Sequence, residues 1–430
     1  MEIKMEIKDP VHGSLELTPP EVAVLDSPAF QRLRSIKQLG FGEFSYPGAT
    51  HNRYLHSLGA SHIAGEAFDS VFRGFAFKNP AARWRMRQAL RLAALLHDIG
   101  HGPLSHTTEE VMPHVKNLNV KAYQKTEDRR ATHEDYTIKF ITDSPLTALL
   151  KDKFPDMDPM HIAALIDKNL EVHDDFFVDD DRNFRTVLCQ LVSSELDVDR
   201  MDYLLRDSYF CGTNYGKFEL GWMLANLTTH ELEGRVHLAL NRRALYTFDD
   251  FLISRHHMYL MVYFHHKSIV YDEMLGLYLT SKDCTFSLPA DINEYLKYND
   301  YKLYQHLSGV DNQWARRISE RRPLRVLFEL HSTSESGRPE KMKEALEAEG
   351  VNVILASSEA RLSKYHTSLE GDKNRQIYVV DQYDRGSKPY PLDKSTEIFQ
   401  KYERARRIDR LYVAPEDYSK AEGILLKHKL

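Results

Sequence analysis

The chain has 430 residues, 42% of them hydrophobic, and a net charge of −6. That length and apolar content suffice for a sizeable core in one large domain plus a smaller one, and the negative charge argues against non-specific affinity for nucleic acid, leaving only a local basic groove for such a role. The three cysteines, Cys189, Cys211 and Cys284, share no CxxC spacing, which excludes a thiolate metal site and gives no disulfide framework.

The first residues, MEIKMEIKDP, place no apolar h-region behind their charges, and nowhere does the chain approach the roughly 20 apolar residues that cross a bilayer. A soluble cytoplasmic protein with no membrane partner is expected. Helical periodicity then dominates, through Phe30–Leu39, Leu90–Leu96, Met160–Ile166, Val187–Leu205 and Phe251–Leu279, runs mostly too long for strands. Breakers at Gly40-Phe41-Gly42, Tyr46-Pro47-Gly48 and Gly100-His101-Gly102-Pro103 put several histidines at helix ends or on connecting loops, where function concentrates. Two polar stretches, near Lys116–Arg130 and Glu171–Asp181, read as mobile surface loops, the run Asp179-Asp180-Asp181 being a solvated one. After about residue 320 the texture becomes short β-rich runs, RVLFEL, VNVILAS, QIYVVD and RLYVAP. The expected fold is therefore mainly α, with residues 1–315 forming a helical catalytic core and residues 316–430 a smaller C-terminal α+β region.

Histidine is the informative excess, with 21 residues packed into a few segments. In HDIGHGPLSH, residues 97–106, adjacent His97 and Asp98 follow the apolar RLAALL helix and offer an imidazole and a carboxylate to one divalent ion. His56 upstream and Asp199 downstream complete a candidate ligand set drawn from three helices, a familiar way to build a metal site in a helical bundle. Any one of these residues alone would more simply be a satisfied core group or a helix cap; the set together is what points to a metal.

The chain resembles the HD-domain hydrolases, and within them the dNTP triphosphohydrolases related to the SAM-and-HD-domain enzyme. The resemblance runs over about residues 5–280, through DPVHGSLEL, DSPAFQRLRSIKQLG, YPGATHNRYLHSLG, LLHDIGHGPLSH, THE at 132–134, LDVDRMDYLLRD and RHHMYLMVYFHHK, in that order. The resemblance starts directly at the HD-type core, and a SAM module is not expected. The resemblance implies a helical HD-type phosphohydrolase core with His56, His97, Asp98 and Asp199 as ligands of one divalent ion, iron, manganese, zinc, magnesium or nickel, and an additional Mg²⁺ accompanying the triphosphate. It implies attack at the α-phosphate of a dNTP, releasing deoxynucleoside and inorganic triphosphate. His133 takes the part of leaving-group acid, tuned by Glu109 where the compared enzyme has Asp, and His101 and His106 line the phosphate channel. Arg53, Arg200 and Arg255 are assigned to the phosphates, where planar guanidinium groups grip oxygens in pairs. Gln38, Leu39, Tyr203 and Asp207 border the sugar, Tyr263 crowds the 2′ position, and His266 stands where the pattern has the triphosphate lysine.

Asp26, Gln31 and Arg34 match, by resemblance, residues that read a guanine base of a GTP or dGTP activator between subunits of a homo-oligomer, dimer or tetramer. Taken by itself, Asp26 before Ser27-Pro28 also fits a helix N-cap. Two other functions compete. One is an HD-type nucleotidase or phosphodiesterase acting on other nucleotides; the other is a nucleotide-sensing or nucleic-acid-binding regulator built on the same core.

Overall fold

The computed structural model describes residues 5–125, 127–360, 376–384, 386–396, 398 and 406–430. It is mainly helical, with a smaller sheet-containing C-terminal region. An N-terminal hairpin of β1 (Met5–Asp9) and β2 (Gly13–Leu17), paired antiparallel with Met5 opposite Leu17, lies against the helical core. The core is built on α1 (Arg53–Val71) and α2 (Pro80–Leu96). Asn52 caps α1 by accepting from Leu55 N, and Asn79 caps α2 by accepting from Ala81 N, with Pro80 in the first turn where its missing N–H costs nothing. Both helices are buried over most of their surface, which is why RLAALL shows no polar face.

α3 (His133–Thr142) begins with a reciprocal cap: Thr132 N donates to Asp135 Oδ2 at 2.7 Å, and the Thr132 side chain caps the N3 backbone. α4 (Val198–Phe210) is capped by Asp197, which accepts from Arg200 N at 2.8 Å and so sets Asp199 in the first turn. β3 (Leu227–Leu232) and β4 (Arg235–Asn241) form an antiparallel hairpin. α5 (Leu245–Met258) runs into a π-helical turn at Tyr259–Tyr263, and α6 (His266–Leu279) restarts with His265 as its cap. The single apolar run Phe251–Leu279 is thus broken in its middle, and wide turns of this kind are frequent at functional sites.

In the C-terminal region β5 (Arg325–Ser332) and β6 (Val353–Ala360) both pair antiparallel with β8 (Arg406–Val413), which lies between them. α7 (Arg338–Ala348) and α8 (Tyr418–Lys427) close a separate small core around Met342, Leu346, Leu411, Val413 and Ile424. The intervening β7 (Tyr378–Val380) pairs in parallel with β4, so the C-terminal stretch also completes a sheet of the larger region.

The loops read as solvated are partly built in. Asp179 is buried and accepts from Lys78 N at 2.8 Å and Asn79 N at 3.0 Å, fixing the start of α2; only Asp180 and Asp181 fit the exposed reading. His114 and Arg130 likewise bridge across the first insertion. No helix among the described residues is long and apolar enough to cross a membrane.

Candidate functional site

Three helices bring His56, His97 and Asp199 within ligand distance of one another, with Asp98 beside the two histidines. His56 projects from the first turn of α1, His97 and Asp98 end α2, and Asp199 comes from the first turn of α4. His56 Nε2 lies 3.0 Å from Asp199 Oδ1, 3.3 Å from His97 Nε2 and 3.7 Å from Asp98 Oδ2, while His97 Nε2 lies 3.4 Å from Asp98 Oδ1 and 3.6 Å from Asp199 Oδ1. Ligands about 2.0–2.2 Å from a common ion stand roughly 3–3.5 Å from one another, so the spacing fits one divalent ion. The two imidazole planes cross at 81°, which lets both ring nitrogens aim at one centre. Each ring has its other nitrogen engaged: His97 Nδ1 on the Ala94 carbonyl at 2.8 Å and His56 Nδ1 on Asp202 Oδ2 at 2.8 Å. These contacts leave Nε2 of each ring facing the cluster.

Electrostatics favour positive charge at this point. Burial disfavours imidazolium, yet Asp199 and Asp202 hold His56 up to about 10. His97 is likewise raised, by Asp98 and Asp199 acting against burial. Burial would push Asp98 up, but Arg53, His97 and His101 hold it well below the usual carboxylate range. Asp199 keeps a partly open side chain, 35% exposed, so the cluster faces solvent on one side and leaves room for further ligands.

A second group, His101, His106 and His133, also gathers ring nitrogens. Its geometry is unsuited to one ion shared by all three. The His101 and His133 rings stack face to face, 3.8 Å apart and 16° from parallel, so an ion between them would lie well outside both ring planes. This group is better made for protons. Glu109 accepts from His133 Nδ1 at 2.5 Å and contacts His106 Nδ1 at 3.3 Å. Burial raises the Glu109 carboxyl, but the bonds to His106 and His133 outweigh it and bring it to about 2, keeping it anionic and oriented. His101 touches Asp98 at 3.2 Å and is held well below its usual value by burial and by Arg53. It is a neutral ring at neutral pH.

The loop carrying these histidines is gripped from several sides. Arg32 donates to the Ile99 and His101 carbonyls, each at 2.8 Å. Gly100 N donates to Thr137 Oγ1 at 3.0 Å, and a Cβ on Gly100 would lie 2.1 Å from the His133 carbonyl, so the loop can approach α3 only with glycine there. Sequence reasoning singles out Arg34 and misses Arg32, although both stand in the motif QRLR.

Arg53 pairs with Asp98 Oδ2 and donates to Ser105 Oγ at 2.8 and 3.1 Å. Arg200 and Arg255 converge on Glu195 Oε2, at 3.1 and 3.7 Å, and Arg255 lies over the Tyr259 ring. Two turns along α4 from Asp199, Asp207 receives Tyr263 Oη at 2.8 Å and contacts His51 Nε2 at 2.7 Å. Tyr203 meets Tyr263 edge to face, and burial together with neighbouring acidic groups keeps both phenols neutral. Pairing of Lys37 with Asn52 brings Gln38 beside His51, whose carbonyl accepts from Gln38 N at 3.1 Å. Gln38 Oε1 is buried without a hydrogen-bond partner among the described residues, and Leu39 opens the short turn Gly40–Phe44. His51 is a site residue that sequence reasoning missed; its signal was only that it sits inside the THNRYLHS motif.

His266 has another environment. It stacks on His265 at 4.4 Å, its carbonyl accepts from Tyr412 at 3.0 Å, and Arg410 donates to the Phe264 carbonyl at 2.8 Å. The C-terminal sheet is therefore seated on this turn. Asp26 and Arg34 are exposed; Gln31 donates to the Leu25 carbonyl at 2.7 Å, Arg34 donates to Gln31 Oε1 at 2.8 Å and lies 3.6 Å over the Tyr54 ring. Ser27, not Asp26, is the helix N-cap, and Asp26 ends the preceding helix Pro19–Leu25.

Residues 53–207, which contain His56, His97, Asp98 and Asp199, match the family model of the HD domain, and residues 226–349 match that of the HD associated region. The chain belongs to the HD-domain superfamily. Over 265 residues it is 34% identical to an uncharacterized protein of Mycoplasma pneumoniae, covering 61% of this chain and 56% of that protein. Over 283 residues it is 29% identical to the human deoxynucleoside triphosphate triphosphohydrolase SAMHD1, covering 63% of this chain and 43% of that one. The HD-domain chain thus spans at most a little over half the length of these curated relatives. Among solved structures, a hypothetical protein from Aquifex aeolicus superposes with a TM-score of 0.76 at 26% identity, covering 98% of this chain and all of that one. A phosphohydrolase from Bacteroides thetaiotaomicron shares the fold, with a TM-score of 0.69 at 21% identity over 96% of this chain and all of that one.

Proposed function

We propose that this HD-domain chain is a metal-dependent phosphohydrolase that cleaves dNTPs to deoxynucleoside and inorganic triphosphate. The observation that carries this reading is the arrangement along α4, where Asp199 at the ligand cluster and Asp207, held between Tyr263 and His51, stand eight residues and roughly 12 Å apart along one helix. That is the scale of a nucleoside with its phosphates. The relationship to a dNTP triphosphohydrolase supports it.

His56, His97, Asp98 and Asp199 would hold the divalent ion. When bound, such an ion polarises a phosphoryl oxygen and lowers the pKa of a water. Attack by water at the α-phosphorus breaks the bond to O5′, which must gain a proton. His133, oriented through Nδ1 by the Glu109 carboxylate, presents Nε2 as the donor. His101, neutral and beside Asp98, contacts the phosphate, and Arg53 exchanges part of its pairing with Asp98 and Ser105 for phosphate oxygens. Arg200 and Arg255 neutralise the rest of the chain of phosphates. Asp207 accepts from the 3′-hydroxyl, Gln38 and Leu39 border the ring, Tyr203 packs on the sugar and Tyr263 fills the 2′ side.

The test is product analysis on separate dNTPs and NTPs. Inorganic triphosphate with deoxynucleoside is expected, with dATP favoured over ATP and that preference narrowed in Tyr263→Ala. Inorganic phosphate as the product would replace this reading with a nucleotidase, and binding of nucleotides without turnover by the metal-loaded protein would replace it with a sensor. Repeating the assay with GTP or dGTP while following molecular mass tests the regulatory reading of Asp26, Gln31 and Arg34. Activation and assembly are expected to rise together and to be lost in Arg34→Ala, because an effector must favour the active assembly by its own differential affinity.

A further inference from the structure

One buried set of charges has no part in the chemistry just described. Asp202, three residues beyond Asp199 on α4, is fully buried and receives four donors. Arg206 Nη2 and His12 Nε2 reach Oδ1 at 2.8 and 2.7 Å, and Arg206 Nε and His56 Nδ1 reach Oδ2, each at 2.8 Å. The carboxylate cannot rotate without breaking two of these bonds. Arg206 is itself completely buried and extends to Asp9, at 2.7 and 3.3 Å, at the end of β1. Asp9 Oδ1 in turn accepts from Val11 N at 2.9 Å and His12 N at 2.8 Å, folding the DPVHG turn so that the His12 ring points inward. Gly13 completes the turn with φ of +80°.

The packing allows no slack around this carboxylate. A Cβ on Gly59 of α1 would lie 1.9 Å from Asp202 Oδ1 and 2.3 Å from Arg206 Nη2. α1 can carry His56 this close to α4 only because residue 59 has no side chain. An arginine flanked by two carboxylates leaves one net negative charge, and it faces the Nδ1 side of His56. The ion pair could serve stability alone, but buried pairs are poor stabilisers once desolvation is counted, so an additional role is the more economical reading.

We propose that Asp202, locked by His12 and Arg206, is a positioning residue that sets the tautomer and aim of His56, and that the N-terminal hairpin is thereby part of the metal centre and sets its affinity. This rests on the ion site described above. With Nδ1–H donating to the Asp202 carboxylate, His56 turns Nε2 toward His97 and Asp199, and the anion behind the ring strengthens that nitrogen as a ligand. Losing His12 removes one of the two donors to Asp202 Oδ1, leaving Arg206 alone on that oxygen, and so loosens the carboxylate behind the His56 ring without touching a ligand.

The test measures affinity for Zn²⁺ by competition with a chromophoric chelator, the visible spectrum of the Co²⁺ form, and the melting temperature of the metal-free protein. The full chain is compared with His12→Gln, Asp202→Asn and, as a reference for loss of a ligand, Asp199→Ala. Weakening of Zn²⁺ binding by about 10–100-fold in His12→Gln and Asp202→Asn, with a changed Co²⁺ spectrum, is the expected result. If Asp202→Asn does not fold, His12→Gln carries the test, since it alters the hairpin end of the set and keeps a polar side chain there. Affinity within twofold of the unmodified protein overturns the proposal, as does a lowered metal-free melting temperature with unchanged affinity, which is the signature of a purely structural ion pair. An unmodified protein that binds no divalent ion would instead overturn the ion site itself.

Discussion

Asp199→Ala is expected to yield a folded protein that retains neither a tightly bound divalent ion nor measurable hydrolysis. The side chain is partly open to solvent, so its removal creates no large cavity, and its helix keeps the Asp197 cap. What is lost is one anion of the cluster and the close partner of both His56 and His97. An ion present at 100 times its dissociation constant stabilises the native state by about 2.7 kcal/mol, so the unmodified protein should melt higher when loaded and the variant should show no such shift. Metal content by mass spectrometry and melting curves with and without the ion check this. Full occupancy in Asp199→Ala, or in the paired His97→Ala and Asp98→Ala variant, would show that these four residues do not form the site.

His133→Ala should produce the opposite separation, with the ion retained and turnover slowed by about 10²–10⁴-fold, the usual contribution of a positioned acid. His133 is tied to Glu109 and stacked on His101, and no ligand residue is among its contacts in the described structure. Glu109→Gln refines the assignment through orientation. The carboxylate, at about 2, is charged at every pH at which the enzyme would be assayed and accepts from His133 Nδ1. An amide in its place holds the ring less firmly, so Glu109→Gln should keep the ion and slow turnover, though by less than His133→Ala. A kcat for His133→Ala equal to that of the unmodified protein would remove His133 from the role of acid.

Fold class and the residues of the candidate site are legible in the amino-acid sequence because both are carried by local patterns. A helix announces itself by period, and LLHDIGH announces a histidine and an aspartate at a helix end. The arrangement of β7 is not legible there: QIYVVD reads as a strand, but nothing in it says that its partner is Arg235–Asn241 in the other region. Nor is the π-helical turn at Tyr259–Tyr263, since an apolar run looks the same whether its backbone hydrogen bonds reach four residues back or five.

What the sequence by itself determined is the inventory: imidazoles and carboxylates at His56, His97, Asp98 and Asp199, placed on helices by capping and periodicity that act within a few residues. What only the tertiary structure decided is orientation. The crossed planes of His56 and His97, set against the parallel stack of His101 and His133, are what make the first group the better candidate for a metal ion. The bond from His12 to Asp202 joins residues 190 positions apart, and those from Asp9 to Arg206 span 197. Local patterns cannot encode such pairs, because they form only when the packing of the hairpin, α1 and α4 removes water and leaves each buried charge only the partners packed against it.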